Sequence, residues 1–195
     1  MTSKVMSQIP EAEQEAVHDH VQFLNTVIGK MSGVVTDTNL IQARDLAPIT
    51  PQAPRAFLVE AFNRILISKI RFHSPVFQRG IKVFEEKETL LPFEEAKLYG
   101  HNATHALGAY LGAVRGVKHM VELREIPGAI PFLRAAFIEE SGAALIHKYA
   151  GLDPLFTEKG YRHYAEDLIT RMTNPYLLDT VKRVGRDPKR KLGWN

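Results

Sequence analysis

The sequence predicts an α+β protein that is predominantly α-helical. Two observations carry this expectation. β-Branched residues, interrupted by glycine and proline, are gathered in the first 90 residues, and from Leu91 onward the chain changes to long stretches of good helix formers opened by proline. Residues 1–90 therefore read as mixed α and β, and residues 91–195 as mainly helical. The strands expected in the first part are few and scattered, so that part reads as the end of a larger domain.

Taken in order, residues 10–21 read as a helix, with Pro10 in its first turn and Glu11, Glu13 and Glu15 near the positive end of its dipole. Val21 to Met31 and Val34 to Val35 read as β, broken by Gly29 and Gly33, and Leu46 to Pro54, with three prolines, reads as a loop. In the run from Ala56 to Phe72 the second half reads as a strand, with Leu66, Ile70 and Phe72 alternating with cationic neighbours. Helices are expected over Pro92 to Arg115, Pro131 to Tyr149 and Leu155 to Met172. In the second of these, Phe132, Phe137, Ile138, Leu145 and Ile146 are the candidate core residues, and His147 lies where it meets the helix dipole.

The chain has 195 residues, 45% hydrophobic and 24% charged, which suits one ordinary globular domain or two small ones and argues against disorder or a fibre. It contains no cysteine. Disulfides, thiolate metal sites and cysteine redox chemistry are thereby excluded, and a reducing compartment is compatible with the composition. The first 20 residues hold no apolar run of the signal-peptide kind, and nowhere are there the roughly 20 uninterrupted apolar residues that span a bilayer. The expectation is a soluble cytoplasmic protein with no membrane partner. The formal charge of +3 is uneven: Lys182, Arg183, Arg186, Lys189, Arg190 and Lys191 against Asp187 put +5 on residues 182–195, which leaves −2 on the rest.

The densest set of chemically capable residues lies on the helix Pro92 to Arg115, in EEAKLYGHNATHALGAYLG. At about 100° per residue, Glu94, Lys97, His101 and His105 share an arc of roughly 80°, with Asn102 about 140° from Lys97. Gly108 and Gly112 continue this stripe, where a backbone or a substrate could approach closely. Ala96, Ala103, Leu107 and Val114 form an apolar stripe on the opposite side. A lysine acts as general base when desolvation or neighbouring cations depress its pKa, and Asn102 and His105 offer donors to a carbonyl or alkoxide oxygen. That set suits interconversion of an alcohol and a ketone, with Glu94 tuning the lysine's proton. The bland alternative is a solvated face on which Glu94 pairs with Lys97. A metal at His101 and His105 is not expected, because a third ligand is lacking and Asn102 stands where the zinc-protease motif has glutamate.

A second set is NPYLLDTVKRVGRDPKRKL. Asn174 and Pro175 stop one helix, Asp179 to Val184 reads as a short one, and Gly185 with Asp187 and Pro188 marks a turn. The cations are thus presented on a bent segment without interleaved aromatics, which argues against nucleic acid and suits a phosphate or a polyhydroxylated small molecule.

These residues together resemble a known family. Lys97, Asn102 and His105 form K-x4-N-x2-H, and Arg183 and Lys191 form R-x7-K after an N-P-x3-D stretch. The chain resembles the polyol-specific long-chain dehydrogenases and looks most like their mannitol-1-phosphate 5-dehydrogenase branch. The likeness extends through VQFLNTVIGKM, AFLVEAFNRILI and GIKVFEEKETLLPFEEAKLYGHNATHALGAYLG.

The resemblance implies NAD-linked, metal-independent oxidation of mannitol 1-phosphate to fructose 6-phosphate. It implies Lys97 as base, Asn102 and His105 as partners of the reacting oxygen, and Arg183 and Lys191 as holders of substrate hydroxyls or phosphate. It also implies that residues 1–90 are the C-terminal remnant of a nucleotide-binding domain and residues 91–195 a helical substrate-binding and catalytic domain, incomplete at its C-terminus. The family's N-terminal dinucleotide-binding segment is missing, since no G-x-G-x-x-G follows a strand, so no cofactor-binding residue is assigned. The expectation is the middle of such an enzyme, inactive or weakly active by itself. The alternatives are a non-catalytic sugar-phosphate-binding or subunit-interaction remnant and, less in keeping with the residues, a nucleic-acid binder.

Overall fold

The computed structural model describes residues 2–61, 64–71 and 80–189. They form two compact units, one made of Met1–Gly29 with Asn63–Phe93, the other of Lys30–Phe62 with Glu94–Asn195. The chain passes between the units three times, and the third passage, at 93/94, lies near the boundary expected at residue 90. Residues 30–62, read in the sequence with the first part, cluster with the helical part.

The first unit contains α1 (Thr2–Met6), α2 (Glu11–His20), β1 (Thr26–Ile28), β4 (Ile65–Ser68) and β5 (Phe84–Lys87). Pro10 caps α2 and Glu11 and Glu13 occupy its first turn, as the dipole favours. The three strands form one sheet in the order β1-β4-β5, with β1 and β4 antiparallel and β4 and β5 parallel. β4 is the middle strand, so Leu66 and Ile67 are buried together, on opposite faces, in place of the expected alternation. Phe72, expected to continue that alternation, lies outside the described residues.

The second unit holds β2 (Ser32–Val35) antiparallel to β3 (Ala56–Val59), in the register Val34↔Phe57 and Val35↔Ala56, with α3 (Thr38–Ala43) following β2. The first half of the Ala56 to Phe72 run is therefore a strand as well. Glu60, directly after β3, ties this pair to the helices. Its carboxylate accepts hydrogen bonds from Met31 N and from Arg171 Nε and Nη2.

The helices follow. Residues 91–114 run as α4 (Leu91–Glu95), a π-helical turn (Ala96–Asn102) and α5 (Ala103–Val114). The next helix repeats the device, with α6 (Ala129–Ala135), a π-helical turn (Ala136–Gly142) and α7 (Ala143–Lys148). α8 (Glu158–Met172) and the short α9 (Val181–Val184) complete the unit. Ala109, Met120, Leu123, Leu133, Val181 and Val184 form one buried cluster, and Phe137 stacks against Tyr161 and Tyr164 in another. Phe137 and Leu145 are core residues as expected and Ile138 and Ile146 are half-buried, but Phe132 is 53% exposed. Among the described residues no helix is long and apolar enough to cross a membrane.

Candidate functional site

The helix carrying Lys97, Asn102 and His105 is as long as expected, but its face is set differently. The π-helical turn inserts a residue between Lys97 and α5, so a constant 100° per residue does not describe it. The side that packs is the polar and glycine stripe: His101, Thr104, Gly108, Ala109 and Gly112 are buried. On the stripe expected to be apolar and opposite, Ala96 is buried, yet Ala103 is exposed and Val114 is 84% exposed. The glycines admit side chains and not a substrate. A Cβ on Gly108 would stand 3.2 Å from Leu123 and 3.3 Å from Leu133 and Met120, and one on Gly112 would stand 2.9 Å from Val181.

Lys97 is half-buried inside the π-helical turn, and among the described residues its side chain does not make the pairing with Glu94 that the bland alternative supposed. Glu94 is exposed, as is Asn102 at the end of the same turn. His101 is buried, with its ring centroid 6.1 Å from that of His105. Burial, reinforced by the charges of His105, Arg171 and Lys97, pushes the His101 imidazole down to about 3.

His105 is the residue that connects the two sequence motifs. Its Nε2 stands 3.4 Å from Asp179 Oδ2, and Asp179 receives Arg183 Nε at 2.6 Å and Nη2 at 2.5 Å. Asp179 is buried. Burial alone would raise its carboxyl, but the His105 ring and the Arg183 guanidinium outweigh that and hold it below the usual carboxylate range. Its backbone is pinned, because Met120 N donates to Asp179 O at 2.9 Å and Val181 N to Lys118 O at 2.9 Å.

A cavity of about 330 Å³ opens beside this group, walled on one side by residues 31–37 with Leu40 and Leu58, and on the other by Leu177 to Thr180 with Arg183. Asp179 and Arg183 line it; Lys97, Asn102 and His105 do not. The structure thus brings His105 and Arg183 together through Asp179, and among the described residues makes no such link to Lys97 or Asn102. Lys191 lies outside the described residues. In the sequence reading Asp179 closes the N-P-x3-D stretch and opens a short helix but is given no part in the site; its signal there is the i, i+4 spacing to Arg183.

Residues 89–195 match the family model described as the mannitol dehydrogenase C-terminal domain. The fold resembles that of Pseudomonas fluorescens mannitol 2-dehydrogenase, solved as a ternary complex with NAD and D-mannitol, with a TM-score of 0.57 and 20% identity over 89% of this chain and 33% of that one. It also resembles a substrate-free D-sorbitol dehydrogenase, with a TM-score of 0.67 and 14% identity over 95% of this chain and 36% of that one. The chain therefore spans about a third of the length of these structures, and at such identities the likeness is one of fold. The family match covers more than half of the chain, and the chain belongs to the mannitol dehydrogenase C-terminal domain family.

Proposed function

We propose that this chain is the substrate-binding and proton-transferring part of an NAD-dependent polyol oxidoreductase that interconverts mannitol 1-phosphate and fructose 6-phosphate. One observation carries the reading: His105 of the first motif and Arg183 of the second stand against the same buried carboxylate, Asp179. In this mechanism the Lys97 amine takes the hydroxyl proton of the carbon being oxidised, Asn102 and His105 bind that oxygen as it becomes a carbonyl, and Arg183 with Lys191 holds the remaining hydroxyls or the phosphate. Lys97 is suited to its part because no group of the chain among the described residues occupies its amine.

NAD, which the Pseudomonas enzyme's complex contains, would supply the hydride acceptor. Among the residues of this chain there is no G-x-G-x-x-G to cradle the dinucleotide.

Calorimetry of the purified chain with fructose 6-phosphate, fructose and inorganic phosphate tests the proposal. Fructose 6-phosphate binding about tenfold or more tighter than fructose, and weakened in Lys97→Ala and Asn102→Ala, is the expected result. Equal affinity for the two sugars overturns the phosphorylated substrate, and no affinity for either overturns the reading.

A further inference from the structure

On that reading of the site, we propose that Asp179 is a positioning residue: its carboxylate keeps His105 Nε2 protonated whether or not Nδ1 carries a proton, and orients the Arg183 guanidinium at the same time. The geometry supports each part. His105 Nε2 is buried, is without a hydrogen bond, and faces Asp179 Oδ2 at 3.4 Å. A bare imidazole lone pair in that place would oppose a carboxylate lone pair in a setting that water does not relieve, whereas an N–H there is attracted to it. The distance is longer than a made hydrogen bond, as contacts of catalytic groups often are before substrate draws them in.

Arg183 spends Nε and Nη2 on the two oxygens of Asp179 while its side chain remains half exposed, so Nη1 is the guanidinium nitrogen left to face a ligand. The carboxylate cancels much of the guanidinium's charge. Arg183 is thereby suited to reading a substrate hydroxyl, and a phosphate has more to gain from a cation not so neutralised.

The backbone around Asp179 is arranged to hold this aim. Leu178 adopts a left-handed conformation, with φ 53°, that a leucine enters only when its surroundings impose it. The next residues are fastened on both sides by the bonds to Lys118 and Met120 and by the bridge between His119 and Thr180. A third group that orients the working histidine through its other ring nitrogen is the arrangement that activates histidines generally.

The test is the ring nitrogen spectrum of the full chain labelled with ¹⁵N-histidine, recorded without substrate at pH 8, with the His105 signals identified by their loss in His105→Gln. Nε2 is expected to carry the proton, and Asp179→Asn is expected to shift the His105 ring nitrogens as the proton moves toward Nδ1. A wild-type His105 protonated at Nδ1 alone overturns the proposal, and so do ring signals unchanged in a folded Asp179→Asn chain. Where that variant does not fold, the wild-type spectrum decides. A chain that shows the Nε2 proton but binds no fructose 6-phosphate overturns the function proposed above and leaves the assignment of Asp179 to His105 standing.

Discussion

The Tyr161 hydroxyl fills the space beside Gly100 so closely that a Cβ on that glycine would lie 2.8 Å from it. Gly100 sits in the π-helical turn with Lys97, while Tyr161 is fully buried on α8 and bonds Ser141 Oγ at 2.7 Å in the other π-helical turn. The glycine is thus what lets the two turns meet around one phenol, and the turn that carries the proposed base inherits its position from that contact.

Gly100→Ala is therefore expected to cost about 1–3 kcal/mol of stability through overpacking. Tyr161→Phe removes the nearest obstacle, so the same alanine should cost less in that background. Urea unfolding of the four chains of this cycle measures the difference. An equal penalty in both backgrounds would place the strain at Phe137, whose Cζ is 3.0 Å from the same point.

A second expectation concerns Glu60 and Arg171, whose side chains are 4% and 11% exposed. Glu60→Ala takes two charge-assisted bonds from Arg171, which keeps Asp167 at 3.0 Å, and leaves Met31 N without its 2.5 Å acceptor. Breaking one side of such a pair costs about 3–5 kcal/mol, and exchanging both residues for apolar ones of similar size costs less. The midpoint of urea unfolding should fall furthest in Glu60→Ala and recover in part in the Glu60→Leu, Arg171→Leu double variant. If the double variant is the less stable of the two, the pair contributes net stability of its own.

What the sequence revealed follows from the range of the forces involved. Helix positions are local, and the helices expected over 92–115, 131–149 and 155–172 are present to within a few residues. The family was legible in K-x4-N-x2-H and R-x7-K with their flanking text. The π-helical turns were not, because the same helix formers serve i→i+4 and i→i+5 bonding, and Tyr161, which lies against the glycine of each turn, Gly100 and Gly142, comes from elsewhere in the chain. Which face of α5 is buried was decided in the same way, by Leu123, Leu133 and Val181, so Val114 faces outward and Gly112 inward. Asp179 escaped notice as a site residue because its partner His105 is 74 positions away and only the fold brings them together.

The last expectation is a pH dependence carried by His101. Folding moves its imidazole from an ordinary 6.5 to about 3, so between those values the unfolded chain holds a proton that the folded chain does not. Stability then rises with pH across that interval and is lost as pH falls from about 6.5 toward 3, at up to about 1.4 kcal/mol per pH unit. Asp179 and Glu95, whose carboxyls are held low in the fold, act in the same direction at the acid end, so the wild-type curve alone does not isolate the histidine. His101→Gln cannot take up the proton in either state, and the difference between its curve and that of the wild type is the histidine's own part. Chemical unfolding at half-unit steps from pH 4.5 to 8 should show the wild type losing stability faster than His101→Gln below about pH 6.5 and in parallel with it above. Parallel curves throughout would mean that the His101 ring reaches water or a proton acceptor in the folded chain.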